Sequence, residues 1–266
     1  MNLGIIGCGY IGKTLARAVA RGKIKGKLQV VTALNPGDRE NVAREHGCAA
    51  VESFAEFKNY PLDLVVEAAS QEAVRQYLPS ILEHGWDAVV MSTGAFADED
   101  FCSSMMELAR ANGVSVYLPS GAIGGLDLLA AARQGRLDRV QLTTTKPPSS
   151  LEQAESSGAD KETIDEPKVL FEGEAREAVR LFPRNINVAA ALSLAGLGAR
   201  HTNVKIIADP GVERNIHQVE AEGDFGSFKL TVENMPAPDN PGTSYLASLS
   251  GIALLAGLCE NVRVGT

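Results

Sequence analysis

Four histidines and four cysteines are the side chains in this chain best suited to moving a proton or attacking a carbon near neutral pH. His46 and His84 each precede a glycine at the end of a predicted helix, where the helix dipole explains an imidazole. His201 lies in the polar turn Arg200-His201-Thr202-Asn203, as a solvated residue would. His217 differs. In the predicted strand Asn215 to Ala221, alternation puts it on the face of Val219 and Ala221, with Gln218 and Glu220 on the other. An imidazole on the less polar face needs a partner or a cavity, and spacing alone favours a satisfied core histidine. Cys8, Cys48, Cys102 and Cys259 form no Cys-x-x-Cys pair, so no metal site is expected. Cys102 could serve a cysteine-dependent semialdehyde dehydrogenase, but it follows the acidic run Asp98-Glu99-Asp100, which disfavours a thiolate.

A second kind of chemistry is written in glycine. Gly7-Cys8-Gly9-Tyr10-Ile11-Gly12 stands between the apolar strand Met1 to Ile6 and the helical stretch Lys13 to Ala20. In a dinucleotide fold Gly7 permits the tight turn, Gly9 lets a pyrophosphate reach the backbone, and Gly12 lets helix pack on strand. The N–H groups around Gly9, Tyr10, Ile11 and Gly12, with the helix dipole, would hold the phosphates. Without that context three such glycines are just a turn. The second strand, Leu28 to Leu34, ends at Asn35, where an NAD-selective fold carries Asp or Glu. A neutral tip with Arg39 four residues on predicts that NADP is tolerated alongside NAD, although an ordinary turn with a solvated Arg39 explains it as well.

These residues need a frame. To about residue 118 strands and helices alternate, which predicts an α/β fold: an N-terminal Rossmann dinucleotide-binding domain over 1–120, with ligands outside the carboxyl ends of its parallel strands. The loops Glu67 to Ser70 and Ser92 to Ala95 fall at those ends, either as ribose contacts or as plain turns. Period-two strands then predict a second α+β domain over 121–242, with a mixed, largely antiparallel sheet, for substrate and catalysis. Its entry, Ser120-Gly121-Ala122-Ile123-Gly124-Gly125, is a ligand loop or a hinge. Residues 243–266 are expected to return as a helix onto the first domain, and Pro147 to Lys168 reads as a surface excursion.

Composition bounds the partners. The 266 residues are 45% hydrophobic and 22% charged, as in a globular protein, and the net charge of −8 argues against nucleic acid and anionic lipid. The longest apolar run, Leu246 to Leu258, is too short to span a bilayer. Scattered cysteines and an N-terminus unlike a signal peptide predict a cytoplasmic protein.

Gly7 to Gly12, Ser120 to Gly125, the run Phe182-Pro183-Arg184-Asn185-Ile186-Asn187-Val188-Ala189 and the segment Ala208-Asp209-Pro210 through Arg214-Asn215-Ile216-His217 together resemble the L-aspartate dehydrogenase family over nearly the whole chain. The resemblance implies NAD(P)-dependent oxidative deamination of L-aspartate, through iminoaspartate, to oxaloacetate and ammonia, possible as a source of quinolinate for NAD biosynthesis. It puts the catalytic histidine at His217 and nicotinamide contacts at Ala122 and Asn187. On that reading His217 accepts a proton and activates water for attack on the imine carbon. Donors for the two substrate carboxylates would come from the N–H groups of Ser120 to Gly125, Asn187, and Arg184, Lys205 or Arg214. A homodimer is the default assembly. The alternatives are the cysteine enzyme above and a non-catalytic dinucleotide-sensing regulator.

Overall fold

A computed structural model describes residues 1–149, 164–182, 187–262 and 264–265; most of the expected excursion after Pro147, and Arg184, lie outside them. The chain divides into two compact units, Met1–Pro119 with Ser248–Val264, and Ser120–Ala247.

The first unit is built on six parallel strands, β1 (Asn2–Ile6), β2 (Lys27–Thr32), β3 (Ala49–Val51), β4 (Leu64–Glu67), β5 (Asp87–Val90) and β6 (Val116–Tyr117). Their order is β3-β2-β1-β4-β5-β6, so the winding reverses between β1 and β4 and leaves a crevice at the carboxyl ends there. The near-continuous apolar runs Leu28 to Val31 and Leu64 to Val66 suit strands covered on both faces. The crossovers run through α1 (Tyr10–Ala20), α2 (Pro36–His46), α3 (Phe54–Phe57), α4 (Gln71–Glu83) and α5 (Glu99–Asn112). Local chemistry fixes their ends. Ser70 and Asp98 accept from the backbone N–H groups of Ala73 and Phe101, and Gly47 and Gly113 close α2 and α5 in the left-handed conformation. Helix α5 begins at Glu99, after a separate 3₁₀ turn over Thr93–Ala97.

The second unit holds a five-stranded sheet of β7 (Leu137–Lys146), β8 (Lys168–Glu174), β9 (Thr202–Ala208), β10 (Asn215–Gly223) and β11 (Gly226–Asn234), in the order β11-β10-β7-β9-β8. Only the β7–β9 pair is parallel. One face carries Val140, Leu142, Val204, Ile206, Val219 and Ala221 into a core shared with α6 (Leu126–Ala132), α7 (Ala175–Leu181) and α8 (Asn187–Ala195). The Pro-rich stretch after Asn234 forms a small hairpin of β12 (Pro236–Ala237) and β13 (Asn240–Ser244). The final helix α9 (Tyr245–Gly257) follows; its Leu255 sits in the core of the first unit, and Gly251 packs on Met91 and Leu15.

Candidate active site

The crevice of the first unit is a cavity of about 400 Å³ bordered by Gly7 to Gly9, Thr32 to Asn35 and Ala68 to Ser70. The three glycines before α1 are needed for different reasons. Gly7 has φ +102°, and a Cβ there would lie 2.5 Å from the Ala68 carbonyl oxygen. A Cβ on Gly12 would lie 1.9 Å from the Gly7 carbonyl oxygen, so α1 can approach β1 only without one. A Cβ on Gly9 would meet nothing within 4 Å. The fold does not require that glycine; the open space in front of it leaves room for a ligand to approach the bare backbone. Gly9 also caps α1 with no side-chain acceptor and no acid follows in the first turn, so the N–H groups of Tyr10, Ile11 and Gly12 suit an anion. The cradle fits the pyrophosphate of a dinucleotide.

At the tip of β2, Asn35 Oδ1 caps α2, accepting from the N–H groups of Gly37 (3.0 Å) and Asp38 (3.4 Å). The tip is therefore neutral and already engaged. Arg39 is buried, its guanidinium bonded to Glu52 and the Ala33 carbonyl, so it is not the solvated Arg of an ordinary turn. A feature missed in the sequence is Asp38, whose carboxylate borders the cavity and meets Lys13 at 2.5 Å.

Both carboxyl-end loops noted in the sequence converge on Glu67. Its carboxylate is 2% exposed and accepts from Ala69 N–H (2.7 Å), Ser92 N–H (3.1 Å) and Ser92 Oγ (2.9 Å). Burial raises its pKa against those bonds. All three partners are donors, so the carboxylate pins the loop after β4 to the loop after β5.

The second unit gathers a different set. On the core face of its sheet the residues are apolar at one end and polar at the other: Thr144 and Lys146 on β7, Asn215 and His217 on β10, Asn234 on β11, all buried. Pairing puts His217 between Thr144 and Val232, and Asn215 beside Asn234. His217 Nδ1 lies 2.9 Å from Thr144 Oγ1. Burial, and secondarily the Lys146 charge, pull the imidazole down to about 3. Burial alone pulls the Lys146 amine down to about 8. The imidazole is therefore neutral across the physiological range, beside a cation that burial disfavours. Asn234 Nδ2 donates to the Ala122 carbonyl at 3.0 Å, tying the Ser120 to Gly125 loop to this end of the sheet.

The remaining sequence candidates sort out plainly. Ala122 is buried in this loop, and Asn187 is the exposed first residue of α8. Lys205 points to the opposite face of β9 and pairs with Glu172 at 2.9 Å, while Arg214 is exposed. The pleat thus separates Lys205 from His217. His46 and His84 end their helices and His201 is exposed. The Cys102 thiol is raised by burial and by Asp98, against a nucleophilic role. Thr144, Lys146, Asn215 and Asn234 were not singled out from the sequence. The signal for Lys146 was available: it continues the alternation Val140, Leu142, Thr144 on the face opposite Thr143 and Thr145. Among the described residues no three His, Cys, Asp or Glu side chains are placed to hold a metal, and no helix is long and apolar enough to cross a membrane.

Comparison with known proteins agrees over the full chain. A family model described as "Aspartate dehydrogenase, C-terminal" matches residues 127–258, and one described as "Homoserine dehydrogenase, NAD binding domain" matches residues 7–119. The chain is 47% identical to an L-aspartate dehydrogenase of Methanothermobacter thermautotrophicus, covering 100% of this chain and 99% of the other. It is 43% identical to that of Methanosarcina barkeri, with 100% of both covered. The crystal structure of aspartate dehydrogenase from Thermotoga maritima superposes with a TM-score of 0.78 at 32% identity, covering 100% of this chain and 99% of that one.

Proposed function

Because the chain belongs to the L-aspartate dehydrogenase family, we propose that His217 is its catalytic base, with the first unit as the dinucleotide domain and the second as the substrate domain. The protein oxidises L-aspartate with NAD or NADP. The products are oxaloacetate, ammonia and the reduced cofactor, with water supplying the new carbonyl oxygen. Bound NAD(P) supplies the acceptor for the hydride leaving the aspartate Cα. Everything else falls to side chains and backbone of this chain. The backbone of Gly7, Gly9, Tyr10, Ile11 and Gly12 holds the pyrophosphate, Asn35 borders the ribose, and Ala122 and Asn187 meet the nicotinamide end.

The observation that carries the assignment is a buried, neutral imidazole bonded through Nδ1 to Thr144. In the tautomer in which Nδ1–H donates to the threonine hydroxyl, Nε2 keeps a bare lone pair. It takes a proton from water as the oxygen adds to the imine carbon. Lys146, on the same face, takes one substrate carboxylate, a charge that the acidic chain as a whole would repel. The two substrate carboxylates next to both groups offset their desolvation and raise both pKa values, so the base strengthens when substrate is bound.

The free thiols of Cys8, Cys48, Cys102 and Cys259 support a reducing, cytoplasmic setting. The exposed Phe225, Met235, Tyr245 and Leu246 support burial of second-unit surface in a homodimer. Reduced-cofactor absorbance should rise when L-aspartate and NAD or NADP are added, and not with L-glutamate. His217→Ala should cut kcat by roughly 10² to 10⁴, the usual worth of a general base, and leave the Kd for NADH unchanged. Near-normal turnover would remove His217 from the mechanism.

A further inference from the structure

Asn234 is 3% exposed, yet only one end of its amide is satisfied. Nδ2 donates to the Ala122 carbonyl, whereas Oδ1 has no hydrogen-bond partner among the described residues. The assignment cannot be reversed by flipping the amide, because two oxygens would then face each other. An acceptor is thus fixed in a buried position where folding alone leaves it empty, and buried acceptors are rarely left so. Its place in the sheet is informative. Asn234 pairs with Asn215, and the next pair on the same face is His217 with Val232. It therefore lies diagonally across from His217, about 7 to 8 Å away by strand geometry, within reach of one small ligand.

We propose that Asn234 is a substrate-positioning residue whose Oδ1 accepts a hydrogen bond from the amino group of bound aspartate. The inference rests on the His217 face being the substrate site. A carboxylate offers only acceptors and cannot satisfy Oδ1, so of the polar groups on aspartate the amine alone fits. The bond holds the amino-bearing carbon in the sector of the site that His217 serves. It also distinguishes an amino dicarboxylate from the same skeleton without nitrogen, since a ligand lacking the donor leaves Oδ1 buried and empty.

Succinate, which is aspartate without its amino group, separates the two parts of recognition. With the cofactor-loaded enzyme, the KM for aspartate and the calorimetric Kd for succinate are compared between wild type and two variants. Asn234→Ala should raise the KM for aspartate about 10- to 100-fold, the range for a hydrogen bond to a charged group, with succinate changed less than about threefold. Asn234→Asp, buried against the Ala122 carbonyl and so protonated on the oxygen that faces it, keeps both that donor and the Oδ1 acceptor, so its preference for aspartate over succinate should stay within about threefold of wild type. Equal weakening of both ligands in Asn234→Ala, or loss of NADH affinity instead, would overturn the proposal by reducing Asn234 to a tie for the Ala122 loop. If Asn234→Ala fails to fold, a collapse of the preference in Asn234→Asp overturns it equally. These failures differ from failure of the site itself, which appears as unimpaired turnover in His217→Ala.

Discussion

Replacing Lys146 with methionine should make the protein more stable and less able to use aspartate, and both effects can be sized. The wild-type amine is drawn from its ordinary 10.5 down to about 8 by burial. At pH 7 the folded protein therefore carries a charged amine that it opposes by about 3 kcal/mol relative to the unfolded chain. Between about pH 8 and 10.5 the unfolded chain holds this proton and the folded one does not, so wild-type stability rises with pH from this group. Above that window the penalty is gone. Methionine keeps the length and apolar stem of lysine and removes the charge, so the gain at pH 7 approaches 3 kcal/mol as a ceiling and the slope between pH 8 and 10.5 disappears. Scanning calorimetry of the apo protein at pH 7 and pH 10 measures both; a rise of several degrees at the lower pH and a smaller one at the higher are expected. The same variant loses a charge-assisted contact to a substrate carboxylate, so the KM for aspartate should increase roughly 10- to 150-fold. A variant that melts below wild type at pH 7 would refute the desolvation argument, and an unchanged KM would refute the carboxylate role.

Two glycines of the cofactor turn should respond to alanine in opposite ways. Gly12→Ala drives a Cβ to 1.9 Å from the Gly7 carbonyl and should destabilise the first unit by several kcal/mol, read as a lower melting midpoint. Gly9→Ala meets nothing within 4 Å and should melt like wild type while weakening NADH binding at least tenfold, read by fluorescence titration. A Gly9→Ala protein with normal cofactor affinity would put the pyrophosphate elsewhere. Asn35→Asp keeps a good cap for α2 and adds a negative charge at the β2 tip, so stability should hold while the Kd for NADPH rises about tenfold or more and that for NADH does not. Parallel changes for the two cofactors would show that Asn35 does not read the ribose.

How much of this was legible in the sequence depended on how local each requirement is. Gly7, with its positive φ, and Gly12, packed on the Gly7 carbonyl, answer to backbone geometry within a few residues, so their spacing carried the message. The alternation around His217 revealed its face, because a strand has only two. Its partner Thr144 lies 73 positions away, and only the β7–β10 register brings them together. Lys146 continues the buried alternation of β7, but its charge and the prolines that follow are also those of a solvated strand end, and only the folded sheet decides between the two. Lys205 was drawn in by its charge and excluded by the pleat. Asn234, last residue of its strand before a Pro-rich stretch, carries no local sign of its burial. The Pro-rich stretch beyond it hid the β12–β13 hairpin, since proline argues against a strand and edge strands tolerate it.

On the proposed assignment, the grading of the second sheet, greasy at one end of a face and polar at the other, separates what keeps the protein folded from what it recognises. Val140, Leu142, Val204, Val219 and Ala221 can hold the unit together while positions 144, 146, 215 and 234 are varied. A lineage, or an engineer, could thus retune which amino acid is accepted by editing a few neighbouring strand ends, with the hydrophobic interior as an untouched chassis. The same division warns that changes at those positions which raise thermal tolerance have a ready source: discarding groups kept there for chemistry.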